Sequence, residues 1–204
     1  MTEDDAKAWI GDRFGHAGEG LMADLAQIVS HEAGRQNLIA PSTLEAIWSR
    51  HIVDSAQLIG LAQDTEGDWL DIGTGAGFPG LVVAALTDRR MVLVEPRKRR
   101  AEFLKAAAES LGVASRVEIV TAKVEAVSEP VAVISARAVA QLSSLFASAI
   151  QCSRRKTLWI LPKGRNAREE VAVAEQTWHG MFHVEHSLTD PESLIVLAKG
   201  VSHR

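Results

Sequence analysis

Apolar positions along this chain follow two rhythms, and the change between them falls near residue 67. Upstream they recur at three- and four-residue intervals. Leu21, Leu25 and Ile28 make one stripe, and Leu44, Ile47 and Trp48 make another. Each fits a helix with one buried face. The pattern predicts helices over 4–15 and 18–35, then a third that starts after Pro41-Ser42 and runs on through Arg50-His51-Ile52-Val53-Asp54-Ser55. His51 and Asp54 lie three apart on that helix, so they share a face, and a structural hydrogen-bonded pair is expected of them.

Downstream, short apolar runs alternate with helical stretches. Strands are expected over 69–72, 91–94, 117–120, 131–137, 157–161, 181–186 and 194–197. Helices are expected over 81–86, 97–111 and 141–150, with a last one capped by Asn166 and reaching Trp178. Met91-Val92-Leu93-Val94 is apolar throughout, as a parallel strand buried on both faces should be. Repeated βα units predict an α/β fold, a doubly wound, mostly parallel seven-stranded sheet. The two late strands, joined by a short loop, suggest an antiparallel edge. Residues 1–66 would form an N-terminal helical region packed on a core of residues 67–204.

One stretch has more chemistry in it than the rest. Trp69-Leu70-Asp71-Ile72-Gly73-Thr74-Gly75-Ala76-Gly77-Phe78-Pro79-Gly80 reads as strand, glycine-rich turn and helix start. Glycines there can take positive φ and let backbone approach a ligand; Pro79 suits a first helical turn. Gly75 to Gly80 spells the G-x-G-x-x-G dinucleotide fingerprint. The longer pattern, Asp71-x-Gly73-x-Gly75-x-Gly77, resembles motif I of class I S-adenosylmethionine-dependent methyltransferases, where a carboxylate beside the turn can help hold a cationic amino acid moiety. The motif leaves both cofactors open.

Ligands in open sheets of this kind bind outside the carboxyl ends of the strands. Asp71 to Phe78, Glu95, Ala122 to Glu125, Ser135 to Arg137 and Lys163-Gly164 all fall at such ends, so five strand ends converge on one crevice. Glu95, 22 residues past Gly73, is placed to accept hydrogen bonds from ribose hydroxyls of either cofactor. His179, His183 and His186 do not make a metal site, because residues three apart on a strand face opposite ways.

Composition narrows the choices. At 47% hydrophobic and 24% charged the chain is an ordinary globular protein. No apolar run approaches the ~20 residues that span a bilayer, and the start, Met1-Thr2-Glu3-Asp4-Asp5, lacks the pattern of a signal peptide. Its one cysteine excludes a disulfide framework. A cytoplasmic protein is expected. The net charge of −4 conceals an asymmetry: residues 89–168 hold 16 Lys and Arg against 6 Asp and Glu, a net +10. A polyanion partner would explain it. Within that segment Arg97, Lys98, Arg99 and Arg100 open a helix against its dipole, which makes phosphate contact plausible.

The chain has no Tyr, so the Tyr–Lys pair of short-chain dehydrogenases cannot exist, and no Gly-Lys-Ser/Thr follows the turn as in a P-loop. Methyl transfer suits a domain of this size. Here the residues resemble a family: Asn37-Leu38-x-Ala40, then Arg50-His51-Ile52-x-Asp54-Ser55, then Asp71-Ile72-Gly73-Thr74-Gly75-Ala76-Gly77-Phe78-Pro79-Gly80 are similar to the ribosomal RNA small-subunit methyltransferase G, or glucose-inhibited-division-B, family. The likeness continues through the basic helix, Val124-Glu125, Ser135-Ala136-Arg137-Ala138 and Lys163-Gly164, with departures at Ile39, Ala56 and Ala122.

The resemblance implies S-adenosylmethionine-dependent methylation of guanine N7 in a conserved loop of small-subunit (16S) ribosomal RNA, naked or in a subunit particle. It implies cofactor contacts at Gly73, Phe78, Val124, Glu125 and Arg137, which join Asp71, Gly75, Gly77 and Glu95 from the reading of the residues. Arg137 is expected to border both methyl donor and guanine with no general base, and Arg97 to Arg100, Lys163 and Arg165 to meet phosphates. No metal or membrane partner is expected, and a monomer is. Small-molecule methylation, a nicotinamide-dependent oxidoreduction and RNA binding without catalysis are the competing readings.

Overall fold

The computed structural model describes residues 1–204. Seven strands form a single sheet: β1 (Trp69–Ile72), β2 (Met91–Val94), β3 (Val117–Val120), β4 (Val133–Ala136), β5 (Leu158–Lys163), β6 (Trp178–His186) and β7 (Leu194–His203). Their order is β3-β2-β1-β4-β5-β7-β6. β1 to β5 pair in parallel, while β7 runs antiparallel to both its neighbours. This is the doubly wound, mostly parallel sheet that the alternating pattern predicts. Strand order reverses between β1 and β4, which opens the crevice at their carboxyl ends.

Side chains of each parallel strand alternate between two cores. Trp69, Met91, Leu93, Val133 and Ile160 point into one; Leu70, Ile72, Val92, Val94, Ile134 and Trp159 point into the other. The first is covered by α1 (Glu3–Ala33), α3 (Gly80–Leu86) and α4 (Lys98–Ser110), the second by α5 (Leu142–Ala149) and α6 (Ala167–Ala174). Met22, Leu25 and Val29 of α1 lie in the same apolar cluster as the sheet residues. The amino-terminal helix therefore shares the sheet's core.

Several boundaries differ from those expected. The helices expected over 4–15 and 18–35 are one element with a kink at Gly15, whose φ of 70° lies outside the helical region. The third is a π-helix (Trp48–Val53) leading into α2 (Asp54–Leu61). Glu3 fastens the two parts, its carboxylate accepting from the N–H groups of Trp48 at 3.0 Å and Ser49 at 2.9 Å. The last helix stops at Ala174, and Asn166 makes no side-chain capping bond. Trp178 opens β6 because its indole packs on Phe146 at 5.6 Å, a tertiary contact that overrides helical periodicity. The closing strands also run longer than expected, since each pairs along the other's length.

α3 lies so close to the sheet that Gly80 has no room for a side chain. A Cβ there would press into Leu93 Cδ2 and come within 2.9 Å of Asp71 Oδ2 and Thr74 Oγ1. Overpacking of this kind costs about 1–3 kcal/mol. Gly80→Ala should accordingly lower the urea midpoint of unfolding, and an unchanged midpoint would show that α3 can move away freely.

Candidate functional site

The glycine-rich turn is built on a buried carboxylate. Asp71 is fully buried at the middle of β1. Its Oδ2 accepts from the Gly80 N–H at 3.0 Å, and its Oδ1 accepts from the Ser135 hydroxyl at 2.7 Å. Ser135 in turn accepts from the Trp69 indole N–H at 2.8 Å. Burial raises the Asp71 pKa to about 6, against the pull of the Thr74 and Ser135 hydroxyls, the Gly80 N–H and the charge of Arg137. The Thr74 hydroxyl is close enough to act on the carboxylate, but it is buried without a well-formed hydrogen bond. The reading that set this carboxylate against a cofactor's cationic end is therefore corrected: Asp71 lies beneath the turn and ties both its ends, β1 and the start of α3, to β4.

Above that anchor Gly73, Gly75 and Gly77 all adopt positive φ, at 66°, 57° and 93°. Gly73 also lies against the segment after β4, where an added Cβ would come within 2.8 Å of Val139 Cγ2. Ala138, with φ of 56°, is the non-glycine residue in the left-handed region, a conformation that concentrates at functional sites. The turn forms one side of a cavity of about 420 Å³, whose wall includes Ile39, Thr43, His51, Gly73 to Ala76, Phe78, Arg100 and Arg137. Glu95 is buried at the end of β2, its two oxygens accepting from the N–H groups of Gly75 at 3.2 Å and Arg97 at 2.9 Å.

Arg137 follows the end of β4 and projects toward the amino-terminal helices. One guanidinium nitrogen donates to Asp54 Oδ2 at 3.2 Å and to the Arg50 carbonyl at 3.1 Å; the other donates to His51 Nδ1 at 2.8 Å. The guanidinium carbon lies 5.5 Å from the centre of the Phe78 ring, on which His51 also stacks at 5.0 Å. Burial, reinforced by the charges of Arg137 and Arg50, lowers the His51 pKa to about 3, so its imidazole is neutral. Its Nε2 then donates to Thr43 Oγ1 at 2.8 Å. His51 and Asp54 do not pair with each other, as their spacing suggested. Both pair with Arg137.

A second cavity, also about 420 Å³, opens on the other side of Arg137 between β5, α6 and the β6–β7 loop. Asp54, Arg137 and Ala138 line both cavities. The loop is fixed by Ser187 and Thr189, whose hydroxyls donate to Asp54 Oδ1 at 3.3 and 3.2 Å, and by the Arg50–Asp190 ion pair at 3.1 Å.

The remaining residues singled out in the sequence are spread more widely. Val124 is buried and Glu125 exposed, and neither lines these cavities. Arg97, Lys98 and Arg99 are exposed at the start of α4; Arg99 and Arg100 reach back to the carbonyls of Arg35 and Asn37. Arg165 is exposed, 3.8 Å from Glu192. Lys163 is not on the surface with them: its side chain is 10% exposed and pairs with Glu170 at 2.8 Å. Glu170, Thr43 and the loop hydroxyls were missed because no motif marks them; they reach the site only through long-range packing. No three His, Cys, Asp or Glu residues gather as a metal site, and no helix is long and apolar enough to cross a membrane.

Comparison with known proteins agrees with this geometry. A family model described as rRNA small subunit methyltransferase G matches residues 19–193. A protein of that name from Rhizorhabdus wittichii is 48% identical over 210 residues, covering 100% of this chain and 95% of its own. Another, from Novosphingobium aromaticivorans, is 46% identical, covering 98% and 89%. Among solved structures, an O-methyltransferase of Bacillus cereus in complex with SAH superposes with a TM-score of 0.58 at 16% identity, covering 87% of this chain and 90% of that one. An O-methyltransferase of Streptomyces achromogenes in complex with SAM gives 0.60 at 14%, covering 86% and 89%. At those identities the likeness is one of fold, that of class I methyltransferases.

The raised pKa of Asp71 has a consequence for stability. A carboxyl group whose pKa is higher folded than unfolded stabilises the fold while protonated, below the ordinary value of 3.8. That contribution is lost as pH rises through about 6. A shift of roughly two units corresponds to about 3 kcal/mol. Between pH 4 and 7 the stability of the wild type should therefore fall relative to Asp71→Asn, which mimics the protonated group. Urea unfolding of both proteins across that range measures it; parallel curves would mean that Asp71 titrates as it does in water.

Proposed function

The chain belongs to the rRNA small subunit methyltransferase G family, and from that premise we propose that it methylates the N7 of an unpaired guanine in small-subunit ribosomal RNA, with Arg137 aligning donor and acceptor. The enzyme is an S-adenosylmethionine-dependent methyltransferase of ribosomal RNA. The observation that carries the finer reading is the shared wall. Arg137 and Ala138 separate a cavity floored by the glycine turn from a second cavity of equal size.

The first cavity suits the cofactor. Its floor is the backbone of the glycine turn. The buried Glu95 carboxylate after β2 does not itself line the cavity, but accepts from the Gly75 N–H of that floor at 3.2 Å; it sits at the strand end where such sheets meet the ribose of a cofactor. When bound, S-adenosylmethionine supplies an electrophilic methyl carbon on a sulfonium. Guanine N7 carries a lone pair and no proton, so no residue of the chain has to act as a base. What the residues contribute is alignment, worth up to ~7–11 kcal/mol when geometry is ideal. Arg137 is fitted to that task, since Asp54, His51 and the Arg50 carbonyl fix its guanidinium.

The major groove of an A-form helix is too deep and narrow for N7 to be reached, which points to a looped or everted base. Both cavities are formed by one chain, so a monomer suffices, acting in the cytoplasm where ribosomal subunits are made. Arg97, Lys98 and Arg99 at the start of α4, with Arg165 after β5, present cations at the same end of the sheet for phosphates. The deciding assay supplies labelled S-adenosylmethionine with small-subunit ribosomal RNA lacking the modification, naked and as a subunit, and maps the methylated base. Label at no guanine N7 would overturn the proposal.

Two further outcomes are expected. Arg137→Ala should lower kcat/KM about 100-fold or more, the scale of a small misplacement of reacting groups, while circular dichroism still finds the fold; full activity would remove Arg137 from the mechanism. Arg97→Glu with Arg165→Glu should weaken RNA binding and flatten its dependence on salt by about 0.7–0.9 in log–log slope for each phosphate no longer neutralised. An unaltered slope would mean that phosphates are held elsewhere.

A further inference from the structure

The second cavity presents a hydrogen-bond donor and an acceptor that methyl transfer, as derived above, does not use. The Lys163 ammonium donates to the Ala140 carbonyl and to Glu170 Oε2, which occupies two of its three N–H groups. Glu170 Oε2 also accepts from the Leu142 N–H at 3.0 Å, while Oε1 has no partner in the protein. Both side chains line the second cavity and neither lines the first. The ammonium thus keeps one N–H and the carboxylate keeps Oε1, on two side chains that line the same cavity and are held by bonds to the rest of the fold.

The geometry points to a base-reading pair: Glu170 and Lys163 recognise the Watson–Crick edge of the guanine whose N7 is methylated. The free Oε1 accepts from both the N1–H and the exocyclic amino N–H, which converge on one acceptor, and the ammonium donates to O6. This rests on the guanine-N7 reading above. A cavity of about 420 Å³ falls within the roughly 300–1,000 Å³ of small-ligand sites. Other bases fit the pair poorly. Adenine and cytosine turn a ring-nitrogen lone pair toward the carboxylate, and uracil has a carbonyl where guanine has its amino group. Each leaves a half-buried acceptor facing another acceptor, the arrangement that discriminates most strongly. Gripping the N1 edge leaves the opposite, N7 edge free to face Arg137, which lines both cavities. It also gives sheltered Lys163 a role that its low exposure makes unsuitable for the RNA backbone.

Inosine tests this, because it lacks only the amino group and keeps N1–H, O6 and N7. With inosine in place of the target guanosine, kcat/KM of the wild type should fall about 10- to 100-fold, the scale of one hydrogen bond to a charged acceptor. In Glu170→Gln the guanosine-to-inosine ratio should shrink toward one. A merely structural role for Glu170 would slow both substrates alike and leave the ratio unchanged, which would overturn the proposal; so would a wild-type ratio near one. If Glu170→Gln does not fold, Glu170→Asp, which draws the carboxylate back by one methylene, is read by the same ratio. Wild-type protein that binds S-adenosylmethionine yet leaves guanosine unmethylated would instead refute the N7 reading itself.

Discussion

The Arg137 guanidinium is the point on which the site depends. It is 19% exposed, and a cation so sheltered persists only where its donors are satisfied. Its partners come from the π-helical turn and from the start of α2, not from the sheet that carries Arg137 itself. One side chain therefore fixes the amino-terminal helices over the carboxyl ends of the strands. Asp54 extends the constraint, because its other oxygen is taken by Gln57, Ser187 and Thr189. Sheet, helices and the β6–β7 loop all meet at this one ion pair, and both cavities are shaped by it.

Asp71 imposes a second constraint of a different kind. Burying a carboxylate is costly unless its oxygens are satisfied, and here a hydroxyl and a backbone N–H meet that need. The two bonds run in different directions, one to β4 and one to the start of α3. The turn between them is thereby held taut, with its glycines in the left-handed region. A loop prepared in this way loses little conformational freedom when a ligand settles on it. The charge itself contributes nothing favourable to stability; what the fold gains from Asp71 is geometry.

Much of this was legible in the sequence, and what was missed has a common cause. Local rules located all seven strands, because runs such as Met91 to Val94 must be buried on both faces and glycine spacing after Asp71 requires a turn. They found Arg137 at a strand end. They failed where partners lie far apart in the chain. Asp71 looked like a ligand contact, since nothing in its neighbourhood announces that Ser135, 64 residues on, completes its hydrogen bonding. His51 and Asp54 looked like partners because an α-helix would align them; a π-helix and a distant arginine redirected both. Lys163 read as a surface cation until Glu170, one turn into α6, took its charge. Trp178 looked helical for the same reason, its indole being claimed by Phe146.

The electrostatics of the shared wall bear on which chemistry it can support. In transfer from a sulfonium to a ring nitrogen, positive charge moves a short distance and its total does not change. An environment tuned to a developing anion, such as an oxyanion hole, would gain nothing. The wall has the opposite character. Arg137 is matched by Asp54, and His51 is kept neutral by its burial and by the charges of Arg137 and Arg50, so these three side chains together carry no net charge whether or not the methyl group has moved. Had His51 taken a proton, a second cation would face Arg137 at 2.8 Å and the cluster would open. The low pKa is thus what lets a base-like residue serve as a rigid acceptor, holding the guanidinium in place and taking no part in proton transfer.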